Sequence, residues 1–250
     1  MDGIWWLLIS LGPLFFLQRT LHKQLHIFFL LLTHRRDVSL VLFSIIFLPG
    51  VFLHELSHFL MAKLLNVKTG RFSIIPQYQG NGKLRLGYVE TEEVDFFRDS
   101  LIGFAPLITG MLFVGIIGRE RLGLDMIWTL LNNLNSIQLQ NSFKEIFSEP
   151  NFWVWFYLSV VISSTMMPSS SDRKAWIPLS IVFLLILLIG IVLGIGPEIL
   201  YPIIQPVNNT FKSMSIVFGI SAALQLIVIS PLLILNKLIF RFTKRSKSHF

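Results

Sequence analysis

Long apolar runs, each closed by a short polar or basic patch, dominate the chain. Five of them, at about residues 38–65, 101–118, 152–167, 176–196 and 213–235, are candidate membrane spans. A helix needs about 20 apolar residues to cross a bilayer core. The run at 152–167 is short by that measure and calls for a neighbouring helix or a thinned bilayer. Near the start, residues 4–17 and 25–32 are both apolar, but the polar stretch 18–24 divides them. One further span, a helical hairpin or an interfacial helix would each fit.

The stretches between the runs carry different periods. Leu84, Leu86 and Tyr88 alternate with Arg85 and Gly87, and Gly80-Asn81-Gly82 is a turn signal. Residues 70–91 therefore read as a β-hairpin at the membrane surface. Ile127, Leu130, Leu131, Leu134 and Ile137 recur at helical spacing, which predicts an amphipathic interfacial helix over 124–147. Residues 197–212 read as a polar loop containing prolines. No connection is long enough to bury a core of its own. The expected fold is an all-α polytopic membrane protein: a bundle of five to six transmembrane helices with a small membrane-associated β-hairpin. Three regions follow: a hydrophobic or interfacial segment (1–37), a core (38–174), and C-terminal transmembrane helices with a basic tail (175–250).

Composition agrees with a lipid setting. The chain is 53% hydrophobic and 14% charged, whereas soluble domains carry about 25% charged residues. The absence of cysteine excludes disulfides and thiolate metal sites, so any zinc ligands are His, Asp or Glu. The net charge of +7 is gathered at the ends of apolar runs. This is a topology pattern rather than a nucleic-acid surface, and no nucleic-acid partner is expected. The basic tail places the C-terminus in the cytoplasm. Counting spans backwards puts Asp172-Arg173-Lys174, Lys63, Lys68 and the hairpin on that side too. Arg35-Arg36 and Arg119/Arg121 then fall outside, against the charge rule.

The chemistry lies within the first strong span, at His54-Glu55-Leu56-Ser57-His58. Residues four apart share one face of a helix, so two imidazoles can grip one metal ion. Glu55 beside them is placed to act as base on a water polarised by that ion. A carboxylate at the centre of a lipid-embedded helix costs about 2.5–3.5 kcal/mol on insertion scales, which a divalent cation offsets directly. The structural alternative is a polar network between helices. The remaining histidines, His22, His26, His34 and His249, flank apolar runs and read as interfacial.

With that motif the sequence resembles the site-2 protease family of intramembrane zinc metalloproteases over about residues 38–174. The family's order is H-E-x-x-H in a membrane helix, a membrane-associated β-element, a helix with a Gly-Pro-x-x-Asn-like motif, and a later Asp as third zinc ligand. Here Phe104-Ala105-Pro106-Leu107-Ile108-Thr109-Gly110 stands for the second motif, with Thr109 in place of Asn. The resemblance implies a zinc metalloendopeptidase with Glu55 as catalytic base and His54, His58 and Asp172 as ligands. It also implies Thr109 as a substrate contact, and a membrane protein or transmembrane peptide as substrate. Asp172 lacks the family's Leu-Asp-Gly surroundings. Its depth fits, because it ends a span running toward the same side as His54, while an N-cap of a helix from Arg173 would also explain it. Asp95 and Asp99 are the fallback ligands. The competing functions are an inactive protease relative, a prenyl-protein-type protease with a Glu ligand, and a metal- or ion-binding membrane transport protein.

Overall fold

The computed structural model describes residues 2–78, 84–123, 147–174, 176–192 and 196–246. The chain folds as an all-α bundle of membrane type carrying a small antiparallel β-element. In order the elements are α1 (Gly3–Thr33), α2 (Arg36–Leu64), β1 (Thr69–Ser73), β2 (Gln77–Tyr78), β3 (Leu84–Arg85), β4 (Tyr88–Thr91), α3 (Phe96–Glu120), α4 (Phe152–Thr165), α5 (Trp176–Val192) and α6 (Gly196–Ser246). Among the described residues, four helices are long and apolar enough to cross a membrane: α1, α2, α3 and residues Ile204–Phe242 of α6. The predicted interfacial helix and the Gly80-Asn81-Gly82 turn lie outside the described residues.

The N-terminal stretch is one helix, and its polar stretch does not break it. Gln18 and His22 face an internal cavity, and the carbonyl and side-chain oxygen of Gln24 both accept from Asn236 Nδ2 at 2.9 Å. Inward-facing polar positions interrupt hydropathy without interrupting the helix. His34 in the left-handed region (φ 55°) then reverses the chain into α2. The reversal sets Ser39 Oγ against His26 O at 3.2 Å and Phe43 and Phe47 edge-on to the His22 ring.

The segment at 197–212 is helical, contrary to its loop-like composition. Pro197 sits in the first turn of α6, where no intrahelical N–H is needed. Pro202 and Pro206 are one turn apart. Tertiary ties hold the segment onto α1: Gly3 N–H donates to Asn208 Oδ1 at 2.8 Å, Asn208 Nδ2 donates to Asp2 Oδ1 at 3.1 Å, and Lys212 Nζ meets Asp2 Oδ2 at 2.8 Å. The Lys212 and Asn208 contacts hold the Asp2 carboxyl down at about 2.

α2 ends in a Schellman motif. Asn66 adopts φ 55°, Val67 N–H donates to Ala62 O at 2.8 Å and Asn66 N–H to Lys63 O at 3.1 Å, as that cap requires. The chain turns there into β1. Thr69 pairs with Thr91, Phe72 with Val89 and Ser73 with Tyr88, with an irregularity between the first two pairs. Gln77 pairs with Arg85 and Tyr78 with Leu84 in the outer ladder. This is the expected hairpin, interrupted once. Asp95 then caps α3, accepting from the N–H groups of Phe97 and Arg98 at 3.1 Å each.

The core joins the helices in register. Leu21, Ile117, Leu122, Phe152, Val160, Leu224 and Ile229 form one cluster, and Leu14, Leu107, Met166 and Phe218 form another. These contacts fix directions. α1 and α6 run parallel, α2 and α3 run against each other, and α4 runs against α3. Trp176 stacks on Phe104, while Leu179 and Ser180 lie beside Ser100 and Leu101, so α5 continues in the direction of α4. The break after α4, at 166–174, is therefore not a reversal. Asp172 and the basic tail stand at opposite ends of the bundle, and the start of α2 (Arg36) and the end of α3 (Glu120) stand at the tail's end. The backward span count fails at this break. With the directions corrected, the two arginine clusters that disagreed with the charge rule join the tail.

Candidate metal centre

On α2 the interior stripe reads Phe47, Val51, Glu55, His58 and Ala62, all buried, at the three- and four-residue steps of a helix face. His54 stands at its edge, one turn before His58. Both imidazoles turn the same nitrogen to one point: His54 Nε2 and His58 Nε2 are 3.3 Å apart. Asp172 comes from the break between α4 and α5. Its Oδ2 lies 3.7 Å from His54 Nε2 and its Oδ1 3.6 Å from His58 Nε2. Donors about 2.0–2.2 Å from a tetrahedral centre are about 3.3–3.6 Å from one another. The imidazole–imidazole edge matches that figure; the two carboxylate edges run to different oxygens, and with one ligand atom per residue all three lie within 4.8 Å of one another, so His54, His58 and Asp172 form a group able to hold a metal ion.

Each ligand is set by its neighbours. His58 Nδ1 lies 2.9 Å from Ile102 O. A carbonyl only accepts, so Nδ1 carries the proton and Nε2 keeps its lone pair for a metal. Ile102 O is available because of Pro106. In an α-helix the N–H of residue 106 bonds to the carbonyl of residue 102, and proline has no N–H. Pro106 in α3 thus releases the carbonyl that orients His58.

The Asp172 loop is folded around its own serine. Ser169 N–H donates to Asp172 Oδ2 at 2.7 Å, and Asp172 N–H donates to Ser169 Oγ at 3.3 Å. The backbone of Asp172 lies against Gly103, where an added Cβ would overlap the Asp172 carbonyl oxygen. Burial pushes the Asp172 carboxyl up. Donation from His54 and His58 when their Nε2 atoms carry a proton, with the Ser169 N–H contact, outweighs it and holds the group well below the usual carboxylate range, ionised as a ligand must be. Asp172 is not a helix N-cap.

The group opens into a cavity of about 720 Å³. Glu55 lines it beneath the hairpin. A Cβ on Gly87 would lie 2.9 Å from both Glu55 Cγ and Val51 Cγ1, so glycine at 87 lets the strand approach the helix this closely. Arg85, Leu86, Gly87, Val89 and Thr91 make the strand wall.

Thr109 is not among the residues lining this cavity. Its hydroxyl lies 2.5 Å from Ser57 Oγ and donates to Ala105 O at 2.8 Å, a tie between α2 and α3. Asp95 is occupied as an N-cap. Asp99 lines the cavity but stands outside the ligand group. Sequence reasoning missed Gln18 and His22, which line the cavity from α1. The His22 ring is packed between the α2 phenylalanines rather than at an interface. The signal was their spacing of four, which puts them on one face of the helix.

The chain matches no family model, no curated protein and no solved structure.

Proposed function

We propose that the chain is a multi-pass intramembrane zinc metalloprotease of the site-2 protease type, which hydrolyses peptide bonds of membrane-embedded polypeptides. The observation that carries the reading is the group itself: two imidazoles from α2 and a carboxylate from the loop after α4, with ligand atoms within 4.8 Å of one another and Glu55 beside them in one cavity. The donor set, nitrogen and oxygen without sulfur, suits zinc and leaves a position open for chemistry.

Bound between these ligands, zinc supplies the Lewis acidity that makes water nucleophilic at neutral pH and polarises a carbonyl. The protein's residues do the rest. Glu55 accepts the proton of the attacking water and delivers it to the departing amine nitrogen. Arg85–Thr91 offers extended backbone along the cavity, to which a locally unwound substrate adds as a strand. The surrounding helices exclude lipid and bulk water.

The test is a paired measurement of bound zinc and of cleavage of a membrane-embedded substrate. Glu55→Gln is expected to retain zinc and to lose activity by about 10²–10⁴-fold, while His54→Ala loses both. Zinc binding indifferent to His54→Ala would end the metal-site reading. Ion transport that survives Glu55→Gln, with no peptidase activity in the unaltered protein, would favour a transport function.

A further inference from the structure

We propose that Gln18 and His22 form a peptide-backbone subsite on α1, which grips the substrate beside the metal. The idea rests on the protease reading above and adds the residues that hold the substrate on the helix side of the cavity.

Four observations converge. Gln18 and His22 are one turn apart on α1 and both line the cavity that holds His54, Glu55, His58 and Asp172. Each keeps a buried polar atom without a hydrogen-bond partner, Oε1 in Gln18 and Nε2 in His22. Such an atom costs about 1–3 kcal/mol while unpaired, and two on one face of one helix point to an occupant that pairs them. Thr109, the residue the family pattern offers for substrate, is not among the residues lining the cavity and is already engaged. Finally, the wall is firmly placed: α1 is tied to α6 at both Gly3 and Gln24, and Phe43 and Phe47 hold the His22 ring edge-on.

The chemistry identifies the ligand class. A side-chain amide both donates and accepts, and a neutral imidazole does the same. Together they match the alternating N–H and C=O of an extended peptide. Both free atoms are shielded in this structure, and binding requires a turn about the terminal torsions, which are broad and two-fold, to bring them to the cavity. A substrate strand would then be held by β3–β4 along one stretch of backbone and by α1 along another.

The experiment uses two hydroxamates on the zinc-loaded full chain. Acetohydroxamate reports the metal alone, and an N-capped leucyl-leucine hydroxamate reports the metal plus a peptide backbone. In Gln18→Met/His22→Phe, which keeps bulk and removes the polar atoms, the peptide hydroxamate is expected to bind about tenfold or more weaker. Acetohydroxamate should stay within about twofold and zinc content should be unchanged. His22→Gln, which keeps a donor and an acceptor, should recover most of the loss. Equal binding of both probes to the unaltered protein and the double variant would overturn the subsite while leaving the metal centre standing. A parallel loss of both probes together with zinc would also overturn it, assigning the pair to support of His54, whose Nδ1 is itself buried without a partner. Failure of the unaltered zinc-loaded protein to bind either probe would remove the protease reading itself.

Discussion

At the scale of single residues, the candidate centre depends on side chains outside the group that could hold a metal. Pro106 is the clearest case. It occupies an apolar, buried position in α3 where its missing N–H would ordinarily be a defect. Here the defect yields the acceptor for His58 Nδ1. Pro106→Ala restores an N–H that competes for Ile102 O, so α3 becomes a better helix while His58 loses its orienting partner. Zinc affinity, measured by competition with a chelator, is expected to fall about 10- to 100-fold without loss of helical content. Unchanged affinity would show that the Ile102 carbonyl does not hold His58. The residue scale was also where the sequence was most legible. His54, Glu55 and His58 lie within one helix, and their relation is fixed by the 3.6-residue period before any tertiary contact forms.

At the scale of elements, Asp172, the carboxylate of the candidate group, is placed by close packing between α3 and the break after α4. Gly103 receives the backbone of Asp172, and Gly110 receives the side chain of Met166; the two glycines are two helical turns apart on one face. Gly103→Ala is therefore expected to push the Asp172 loop off α3. The expected readout is a clear drop in zinc affinity, with His54 and His58 unaltered and with no ligand removed. Zinc bound as tightly by Gly103→Ala as by the natural chain would mean that the loop adjusts freely. Such placement was only partly readable beforehand. Asp172 was a candidate from order and depth, but the glycine that seats it looked like any glycine in a membrane helix. Gln18 and His22 were hidden for a similar reason: their surroundings come from α2 and from the cavity, and the partner of neighbouring Gln24 is Asn236, more than 200 residues later. Periodicity registers such polar positions as interruptions. Pro202 and Pro206 misled in the opposite sense, because local propensity favours a loop whereas tertiary contacts, among them the ties of Asn208 and Lys212 to the first residues of the chain, hold that segment as helix.

At the scale of the whole molecule, direction matters more than span number. Counting apolar runs treats the break at 166–174 as a turn back through the membrane. In the structure α4 and α5 run the same way, so Asp172 lies away from the end that carries Arg35, Arg36, Arg119, Arg121 and the basic tail. The chain has no cysteine, so single cysteines introduced at exposed positions report sidedness cleanly. Arg35→Cys and Arg241→Cys are expected to react with an impermeant maleimide from one face of sealed vesicles, and Glu93→Cys from the other. Labelling of Glu93→Cys and Arg241→Cys from the same face would contradict the parallel course of α4 and α5.

The most direct measurement is X-ray absorption at the zinc edge of the purified, zinc-loaded chain. Two imidazole nitrogens and oxygen donors at about 2.0–2.2 Å are expected, with the carboxylate contribution lost in Asp172→Ala and no zinc retained by His54→Ala. A bound zinc whose first shell contains no imidazole, or a chain that retains no zinc at all, would contradict the account.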